Sequence, residues 1–467
     1  MRAVIAAAFV FLVAASTADA GIQLSLESDP LPLVEITVVI PAGFESARPE
    51  EAGAASVMSD ILDGGTATLN RETYQDRLAS FGASNDFTLS NLYSVWTLQF
   101  PIVEGKDYGA LADHLAENWK SPRLTDETFG IAVRKLAATL TASLDSDMSL
   151  GVSTSRRWAD RKFFGGVPIT LDRVAALHKE TTAAVWNRDF VGATDIWAGV
   201  VAPPESLPLI RTVLSRVFAA QGEISERSKP APLALREVPA RVSGADQIFL
   251  ILDKPDRTQT MTSIISVARD RYGSSDELAA EFGTYVLVGG GLGSIFGEEI
   301  RTKRGLAYAV SPVQPFFLGH PSLGLATNPV RPKSDEALEV IAKLVETGYD
   351  KPSLIHDLPA ETWDRQWKSY IYGKLLDRST PEGRIEERME VAVGELSPEL
   401  YQRKITDWKT DRDQVKSTLE KTWAQSAVVG AVVGDAKELE PLVAKHFPRY
   451  RVVVIPYRDS ILSKTYQ

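Results

Sequence analysis

The stretch Leu287–Pro312 reads LVGGGLGSIFGEEIRTKRGLAYAVSP, and its opening run of glycines permits a tight turn and a close approach of the backbone. After the glycines, the pattern predicts a short helix over Ile295–Arg304. Gly305 suits the left-handed conformation that ends many helices, so we expect the helix to stop there. This places Arg301 in the last helical turn and Tyr308 just beyond it, on a predicted strand.

That strand is predicted over Leu306–Val310 and would double back beside the helix. Two interpretations of Arg301 and Tyr308 are open at this point. In the first, Arg301 is a surface cation that complements the helix dipole and pairs with Glu298, and Tyr308 is a half-buried strand residue. In the second, both side chains donate hydrogen bonds to a ligand carbonyl, which a guanidinium and a phenol can both do.

The glycine run does not fit the common catalytic loops. Gly289–Gly293 fails the G-x-G-x-x-G pattern because Phe296 stands where the last glycine is required, and no phosphate-loop lysine follows. The Gly293-Ser294 pair does not form a G-x-S-x-G nucleophile elbow. Nucleotide binding and serine hydrolysis are therefore not predicted.

The order of elements around this stretch is repeated in the first half of the chain. The first half is predicted to open on a strand over Leu33–Ile40 and the second on a strand over Gln247–Leu252, each followed by a helix and then by glycines, Gly64-Gly65 in the first half. A strand, a long helix, a second strand and a final helix come next in both halves, over Tyr93–Phe100, Tyr108–Trp119, Ile196–Val201 and Glu205–Ala220, and over Ser322–Thr327, Ser334–Thr347, Ala427–Val433 and Ala436–His446. The repetition predicts an α+β protein of two related halves, each an antiparallel-rich sheet with helices packed on one face.

Four segments of the chain are predicted. Residues 1–20 have the charged start, apolar run and Ala18-Asp19-Ala20 site of a signal peptide cleaved after Ala20. The first half covers 21–222, a proline-rich and charged linker covers 223–241, and the second half covers 242–467. The absence of cysteine suits an oxidising compartment, so we expect a periplasmic protein with no membrane segment after cleavage. A formal net charge of −10 argues against nucleic acid as a partner.

The segment 287–312 resembles the substrate-binding half of the pitrilysin (insulinase-like) zinc peptidases, with the pattern L-G-G-G…S…L-R-x-x-x-G-L-A-Y. The resemblance implies a clamshell half built from paired α+β units, as the repeated elements also suggest. It further implies that Arg301 and Tyr308 bind the substrate across a closed cavity from the zinc ion. With that resemblance, the ligand-binding interpretation of the two side chains is favoured.

The same resemblance implies that the zinc site is lost. In the family, H-x-x-E-H on a helix of the first half holds and uses the metal. Here the corresponding stretch Glu51–Thr66 reads EAGAASVMSDILDGGT, and Ser56, Ser59 and Asp60 stand in the places of His, Glu and His. The chain has no glutamate between residues 127 and 180, where the family's third ligand lies. The five histidines are scattered and form no short metal motif: His114, His178, His320, His356 and His446.

These features predict a non-catalytic, substrate-binding subunit of a heterodimeric periplasmic zinc peptidase. The expected partner is a homologous chain that carries H-x-x-E-H and the zinc ion, and the expected substrate is a peptide. Alone, the chain is predicted to hold no metal and to cut no peptide. Two alternatives stay open: a zinc-free scaffold or assembly subunit, and a peptide-binding homodimer without catalysis.

Overall fold

The computed structural model describes residues 21–45, 48–238, 241, 247–314 and 316–467, and these contain two six-stranded sheets. The predicted signal peptide lies outside the described residues. The strands of the first sheet are β1 (Gly21–Ser28), β2 (Leu33–Ile40), β3 (Ser84–Leu89), β4 (Ser94–Pro101), β5 (Asp195–Ala202) and β6 (Glu223–Glu226). The remaining strands are β7 (Gln247–Asp253), β8 (Met261–Ala268), β9 (Val310–Pro312), β10 (Phe316–Phe317), β11 (His320–Pro321), β12 (Gly324–Thr327), β13 (Ser426–Gly434) and β14 (Arg451–Pro456). Of these, β10 and β11 form a separate two-stranded hairpin and the other six form the second sheet.

Helices surround both sheets. Those of the first half are α1 (Ala54–Leu62), α2 (Arg71–Ser80), α3 (Tyr108–Lys120), α4 (Asp126–Ala142), α5 (Asp147–Ala159), α6 (Leu171–Ala175), α7 (Lys179–Val185) and α8 (Leu207–Val217). Those of the second half are α9 (Ser274–Thr284), α10 (Ile295–Gly297), α11 (Ser334–Val345), α12 (Ser353–His356), α13 (Ala360–Asp377), α14 (Pro381–Ala392), α15 (Pro398–Tyr401), α16 (Arg412–Ala424) and α17 (Ala436–His446). No described helix combines the length and the apolar composition that a membrane crossing requires.

The two sheets have the same topology. The first has the strand order β3-β4-β2-β5-β1-β6 and the second has the order β9-β12-β8-β13-β7-β14. In both, the first three pairings are antiparallel and the last two are parallel. The prediction of an α+β protein made of two related halves is confirmed.

One detail of the predicted repeat is wrong. The strand that matches Gln247–Asp253 by its place in the sheet is Gly21–Ser28, and the strand Leu33–Ile40 matches Met261–Ala268 instead. The prediction therefore began the first half one strand late. The missed strand β1 lies beside β5, with Gly21 opposite Asp195, and nothing local marks a pairing between segments so far apart in the chain.

Each half also covers the sheet of the other half. In β7, the alternate residues Phe249 and Ile251 belong to the core of the second half itself. The residues between them, Ile248 and Leu250, point to the opposite face, as the two-residue period of a strand requires, and pack with Leu150 of α5 from the first half.

The exchange is reciprocal. Helix α14 of the second half lies on β1 and β5 of the first sheet. Its Ile385 packs with Val39 and Trp197, and the Trp197 indole is fully buried and donates a hydrogen bond to Ser25 Oγ at 3.1 Å. Both faces of each sheet are thus covered, one by its own helices and one by a helix of the other half.

The segment predicted as a linker is packed against both halves in its described part. Glu223–Glu226 form β6 at the edge of the first sheet. Further on, Leu233 is buried beside α14, and its backbone amide donates a hydrogen bond to the Ala392 carbonyl at 2.8 Å. The connection between the halves is therefore held in place at these points.

Candidate functional site

The glycine-rich segment forms a tight turn between α9 and α10. The helix continues beyond α9 in wider turns to Gly289, and Gly291 has a φ of +61°, which favours glycine. Ser294 caps α10 by accepting a hydrogen bond from the Gly297 amide at 3.2 Å. From α13, Gln366 Nε2 donates to the Gly293 carbonyl at 2.6 Å. The turn is thereby fixed to the helix that packs beside it.

The predicted end of the following helix is confirmed. The helix of α10 continues over Glu298–Lys303, and Gly305 comes after it with a φ of +56°. The Gly305 amide donates to the Arg301 carbonyl at 3.0 Å, and the Leu306 amide donates to the Ile300 carbonyl at 2.8 Å. Arg301 therefore lies in the last turn, as the sequence indicated.

The strand predicted over Leu306–Val310 is wrong, because β9 covers only Val310–Pro312. Residues 306–309 form an irregular connection instead. Their hydrogen-bonding groups are directed to other elements, since the Leu306 amide bonds to the preceding helix and the Leu306 carbonyl accepts from the Val330 amide at 3.1 Å. The residues before β9 therefore cannot pair as a continuous strand.

Tyr308 is the most exposed large hydrophobic side chain of the described residues, with 80% of its surface accessible. The guanidinium carbon of Arg301 lies 4.3 Å from the centre of the Tyr308 ring. This is a close cation–π contact, and such contacts contribute about 0.5–1 kcal/mol at exposed sites. The structure thus brings the two predicted binding residues together on the surface.

The backbone beneath the pair is anchored on both sides of Tyr308. Leu306 is fully buried in the core of the second half. Thr327 Oγ1 donates to the Ala309 carbonyl at 2.7 Å, and Lys333 Nζ donates to the Arg304 and Gly305 carbonyls at 3.0 and 3.2 Å. A fixed backbone carries an exposed side chain here, so little order has to be gained when a ligand binds.

The ion pairs around the helix end do not include Arg301. Lys303 contacts Glu299 at 2.6 Å and Glu298 at 3.5 Å. Within the described residues, no salt bridge or hydrogen bond to the Arg301 side chain is present. The predicted alternative, a pair between Arg301 and Glu298 with a half-buried Tyr308, does not occur. The donors of both side chains are open to a ligand.

Ser59 and Asp60, two of the positions predicted to replace a zinc motif, form other contacts. Ser59 Oγ donates to the Phe87 carbonyl at 3.2 Å, and Asp60 forms an ion pair with Lys135 of α4 at 2.5 Å. The only side-chain group of Ser56 that could contact a metal is its hydroxyl. Burial raises the pKa of the adjacent Asp63, although Arg71 and Lys135 act in the opposite direction.

These donors do not fit a zinc ion. A structural or catalytic zinc site needs at least three histidine, cysteine or carboxylate ligands, whereas the site offers two hydroxyls and one carboxylate that an ammonium already neutralises. The described part of the chain contains no group of three or more His, Asp or Glu side chains placed to hold a metal. Histidines have structural contacts elsewhere: His114 bonds to the Tyr74 carbonyl, and His320 bonds to backbone carbonyls of three residues.

A cavity of about 470 Å³ lies beside the same helix. Ser56 lines it, together with Glu45, Arg156 and Asp160. Burial raises the pKa of the Glu45 and Asp160 carboxyl groups, which share a hydrogen bond. Sequence reasoning missed this cavity, because its polar residues come from separate segments and form no motif.

Comparison with solved structures shows the fold. An inactive domain of peptidase M16 from Pseudomonas fluorescens matches with a TM-score of 0.66 and 14% identity, over 89% of this chain and 96% of that chain. A protease from Helicobacter pylori matches with a TM-score of 0.67 and 13% identity, over 88% of this chain and 96% of that one. The periplasmic protease PqqL from Escherichia coli matches with a TM-score of 0.63 and 11% identity, over 87% of this chain but 43% of its own length.

No protein-family model and no curated protein matches the sequence. At 11–14% identity the structural matches establish the architecture alone. The similarity includes a domain described as inactive and two proteases. The chain therefore has the two-half fold of the peptidase M16 domains, with an exposed Arg301–Tyr308 pair in its second half and, among the residues described, no set of zinc ligands at the corresponding helix of its first half.

Proposed function

We propose that this chain is the non-catalytic, substrate-binding subunit of a two-chain zinc peptidase of the pitrilysin type. The observation that carries the proposal is the stacked and exposed pair of Arg301 and Tyr308 on an anchored backbone. The proposal assigns the zinc ion to a partner chain of similar fold that carries H-x-x-E-H. The chain itself holds no suitable ligands on α1, so it is inactive alone.

The chemistry of the pair suits a peptide carbonyl. The phenol of Tyr308 and the guanidinium of Arg301 can both donate hydrogen bonds. Donors that are already in position stabilise the negative charge that develops on a carbonyl oxygen during peptide hydrolysis. The ring contact keeps the guanidinium near the phenol, so the two donors can converge on one oxygen.

The size of PqqL supports a two-part enzyme. This chain corresponds to 43% of that periplasmic protease, which leaves more than half of it without a counterpart here. We infer that a separate chain supplies the missing part. The predicted signal peptide supports a periplasmic location for this chain, and the proposal requires its partner to be exported as well. Bound peptide would lie extended along a sheet edge of the partner, where main-chain hydrogen bonds require little sequence preference.

Two substitutions test this proposal in the complex with an exported H-x-x-E-H chain from the same organism. Tyr308→Phe removes one donor and keeps the ring, and Arg301→Ala removes the charged donor. We expect each to lower turnover between tenfold and a thousandfold, or roughly 1.4–4 kcal/mol, while the heterodimer and the partner's zinc content stay normal. Size-exclusion chromatography, metal analysis and peptidase assays measure these three properties.

Matched controls are available on α13, where Tyr372 and Arg365 are exposed. Tyr372→Phe and Arg365→Ala should leave turnover unchanged. If Tyr308→Phe and Arg301→Ala also leave it unchanged in an intact heterodimer, the chain is a scaffold for its partner. If no exported H-x-x-E-H chain associates with it at micromolar concentration, the proposed subunit role is wrong.

A further inference from the structure

The cavity of about 470 Å³ lies in the first half, far along the chain from Arg301 and Tyr308. Side chains of α1, α4 and α5 form its walls, and Gln314 and Phe317 of the second half complete it. It is large enough for one or two amino-acid residues of a ligand. Its lining combines charged and other polar side chains with apolar ones, and small-ligand sites also place polar groups among apolar ones.

Arg156 is the first polar group of note in this cavity. It lies in the last turn of α5 and is half-buried. Among the described residues, no carboxylate, carbonyl or aromatic ring pairs with its guanidinium. Burial lowers its pKa, and no neighbouring charge offsets this effect. A half-buried cation without a partner favours an anionic ligand, because pairing recovers the interactions lost with water.

Asp160 is the second. It lies four residues further, about 6 Å along the helix axis, and is 5% exposed. Its Oδ1 atom has no hydrogen-bond partner among the described residues, although the residue lines the cavity. Gly166 lies against this carboxylate, where a Cβ atom would not fit. This oxygen is fully enclosed and faces Gly166, so it is out of reach of a ligand in the cavity, and Asp160 bounds the space beside Arg156.

The charge balance of the cavity favours an anion. Glu45 shares a hydrogen bond with Asp160, and burial raises the pKa of both carboxyl groups, so the pair carries less than two negative charges near neutral pH. Arg157 also lines the cavity, with one guanidinium nitrogen bonded to the Ser460 carbonyl at 3.2 Å. Arg236 acts on both carboxyl groups from nearby.

Apolar side chains of α4, of the segment after α5 and of the second half also line the cavity, together with polar ones such as Ser56, Asn91 and Gln314. The apolar ones include Leu136, Leu140, Val167, Ile169 and Phe317. Contact with the apolar side chains would bury an apolar group of the ligand. A ligand that fits this cavity therefore carries an anion and an apolar group close together.

We propose that this cavity binds the carboxyl-terminal residue of a peptide that ends in an apolar side chain. The terminal carboxylate pairs with Arg156, and the side chain packs against Leu136, Leu140 and Phe317. The C-terminal residue of a peptide carries both groups on one carbon atom, Cα. This site is distinct from Arg301 and Tyr308 and needs neither a partner chain nor a metal.

Calorimetric titration of the isolated mature chain with short synthetic peptides tests the proposal. N-acetyl-Ala-Ala-Phe with a free carboxylate should bind at least tenfold more tightly than the same peptide with a C-terminal amide. 3-Phenylpropionate has the carboxylate and the ring but no peptide chain to fill the rest of the cavity, so it should bind more weakly than the peptide. Equal binding of the acid and the amide would overturn the site, and equal binding of 3-phenylpropionate and the peptide would overturn the assignment of the ligand as a peptide end.

Variants locate the site. Arg156→Gln should weaken binding of the peptide acid at least tenfold and abolish the preference for the acid over the amide. Arg134→Gln removes an exposed cation from α4 and is the matched control, with unchanged binding expected. Circular dichroism confirms folding of both variants. If both variants bind the acid like the wild type, or both lose binding equally, the assignment to Arg156 is wrong, and the acid–amide comparison on the wild-type chain does not depend on either variant.

Discussion

The two halves have the same sheet topology but differ in the segment after their first helix. After α1, the turn at Gly65 is closed by internal bonds: Asn118 Nδ2 donates to the Leu62 and Gly65 carbonyls at 2.9 and 2.8 Å, and Thr66 donates to Glu117 at 2.7 Å. After α9, the corresponding segment carries Arg301 and Tyr308 to the surface. The same sheet topology is therefore compatible with an internally bonded turn in one half and an exposed Arg301–Tyr308 pair in the other.

The swapped helices, α5 and α14, each pack on the sheet of the other half, and they differ in charge. Helix α5 carries Arg156 and Arg157 in its last turn, whereas α14 carries Glu390 at the corresponding place. Both helices cover the outer face of the other half's sheet, so their packing is shared between the halves while their charge is reversed. Substitutions in each half can show how far this equivalence extends, beginning with the shared packing.

The largest effect is expected from the swapped helices. Phe163, four residues beyond α5 in the wider helical turn that continues it, is fully buried against the second sheet, and Ile385 of α14 is 6% exposed against the first. Phe163→Ala should cost about 3–5 kcal/mol and Ile385→Ala about 2–5 kcal/mol of unfolding free energy. Because each helix stabilises the opposite half, both variants should shift one common transition in urea denaturation.

The control for this experiment is a substitution at the surface of α4. Ile131→Ala on α4 removes a side chain that is 50% exposed, so we expect a change within about 0.5 kcal/mol. Two separate transitions, only one of them shifted by each substitution, would mean that the halves fold independently. The two halves would then share their topology, but neither would stabilise the other.

The second prediction concerns the charge reversal. Burial raises the pKa of Glu390 to about 7, with further contributions from Glu281 and Glu395 and an opposing one from Lys374. The folded state therefore binds this proton more tightly than the unfolded state, and stability falls as pH rises from about 4.5 to about 7. Glu390→Gln should remove roughly 1–2 kcal/mol of that fall, allowing for solvent screening.

Urea denaturation between pH 4.5 and 8 measures this dependence. Glu386→Gln, a change of an exposed residue on the same helix, is the control and should give the wild-type curve. A Glu390→Gln curve parallel to that of the wild type would show that this carboxyl does not titrate differently in the folded state. The charge reversal between α14 and α5 would then have no effect on the pH dependence of stability.

Features that depend on contacts between residues close together in the sequence could be predicted, and features that depend on contacts between distant segments could not. The glycine turn, the helix end at Gly305 and the place of Arg301 in the last helical turn depend on local patterns and were predictable, whereas Tyr308 lies in an irregular connection and not on the predicted strand. The strand Gly21–Ser28 was missed although Ile22, Leu24 and Leu26 alternate, because its partner strand lies more than 160 residues away. The exchange of α5 and α14 and the cavity at Arg156 depend on contacts between halves, which no local pattern records.

The third prediction concerns Ser56, Ser59 and Asp60, the positions predicted to replace zinc-site residues. Introducing Ser56→His, Ser59→Glu and Asp60→His in one variant should give only weak zinc binding, because Lys135 reaches position 60 and its ammonium opposes the metal charge. Adding Lys135→Glu should tighten zinc binding at least tenfold, or about 1.4 kcal/mol. Zinc titration in the presence of a competing chelator measures both affinities.

Adding Lys135→Gln to the same three substitutions separates loss of the positive charge from gain of a ligand. Its affinity should lie between those of the other two variants. If the three substitutions alone already bind zinc as tightly as the four, Lys135 does not control the site. Three substitutions would then be enough to create a zinc site in the first half.

The smallest effect is expected at Tyr308. With 80% of its surface exposed, the side chain contributes little to the core, so Tyr308→Ala should change the unfolding free energy by no more than about 0.5–1 kcal/mol, the size of its contact with Arg301. Thermal unfolding of the isolated chain measures it. A loss above about 2 kcal/mol would make Tyr308 a structural residue and remove the contrast with the internally bonded turn of the first half.

The reciprocal packing of α5 and α14 has a consequence for biosynthesis. Domains generally fold as they emerge, the N-terminal part first. Here α5 is made long before β8 and β13, so its apolar face has no sheet to cover until residue 434 has left the ribosome. The outer face of the first sheet, around Trp197, waits in the same way for α14. A chain interrupted between the halves would expose both surfaces, so we expect the nascent protein to depend on chaperone protection until its last strands are complete.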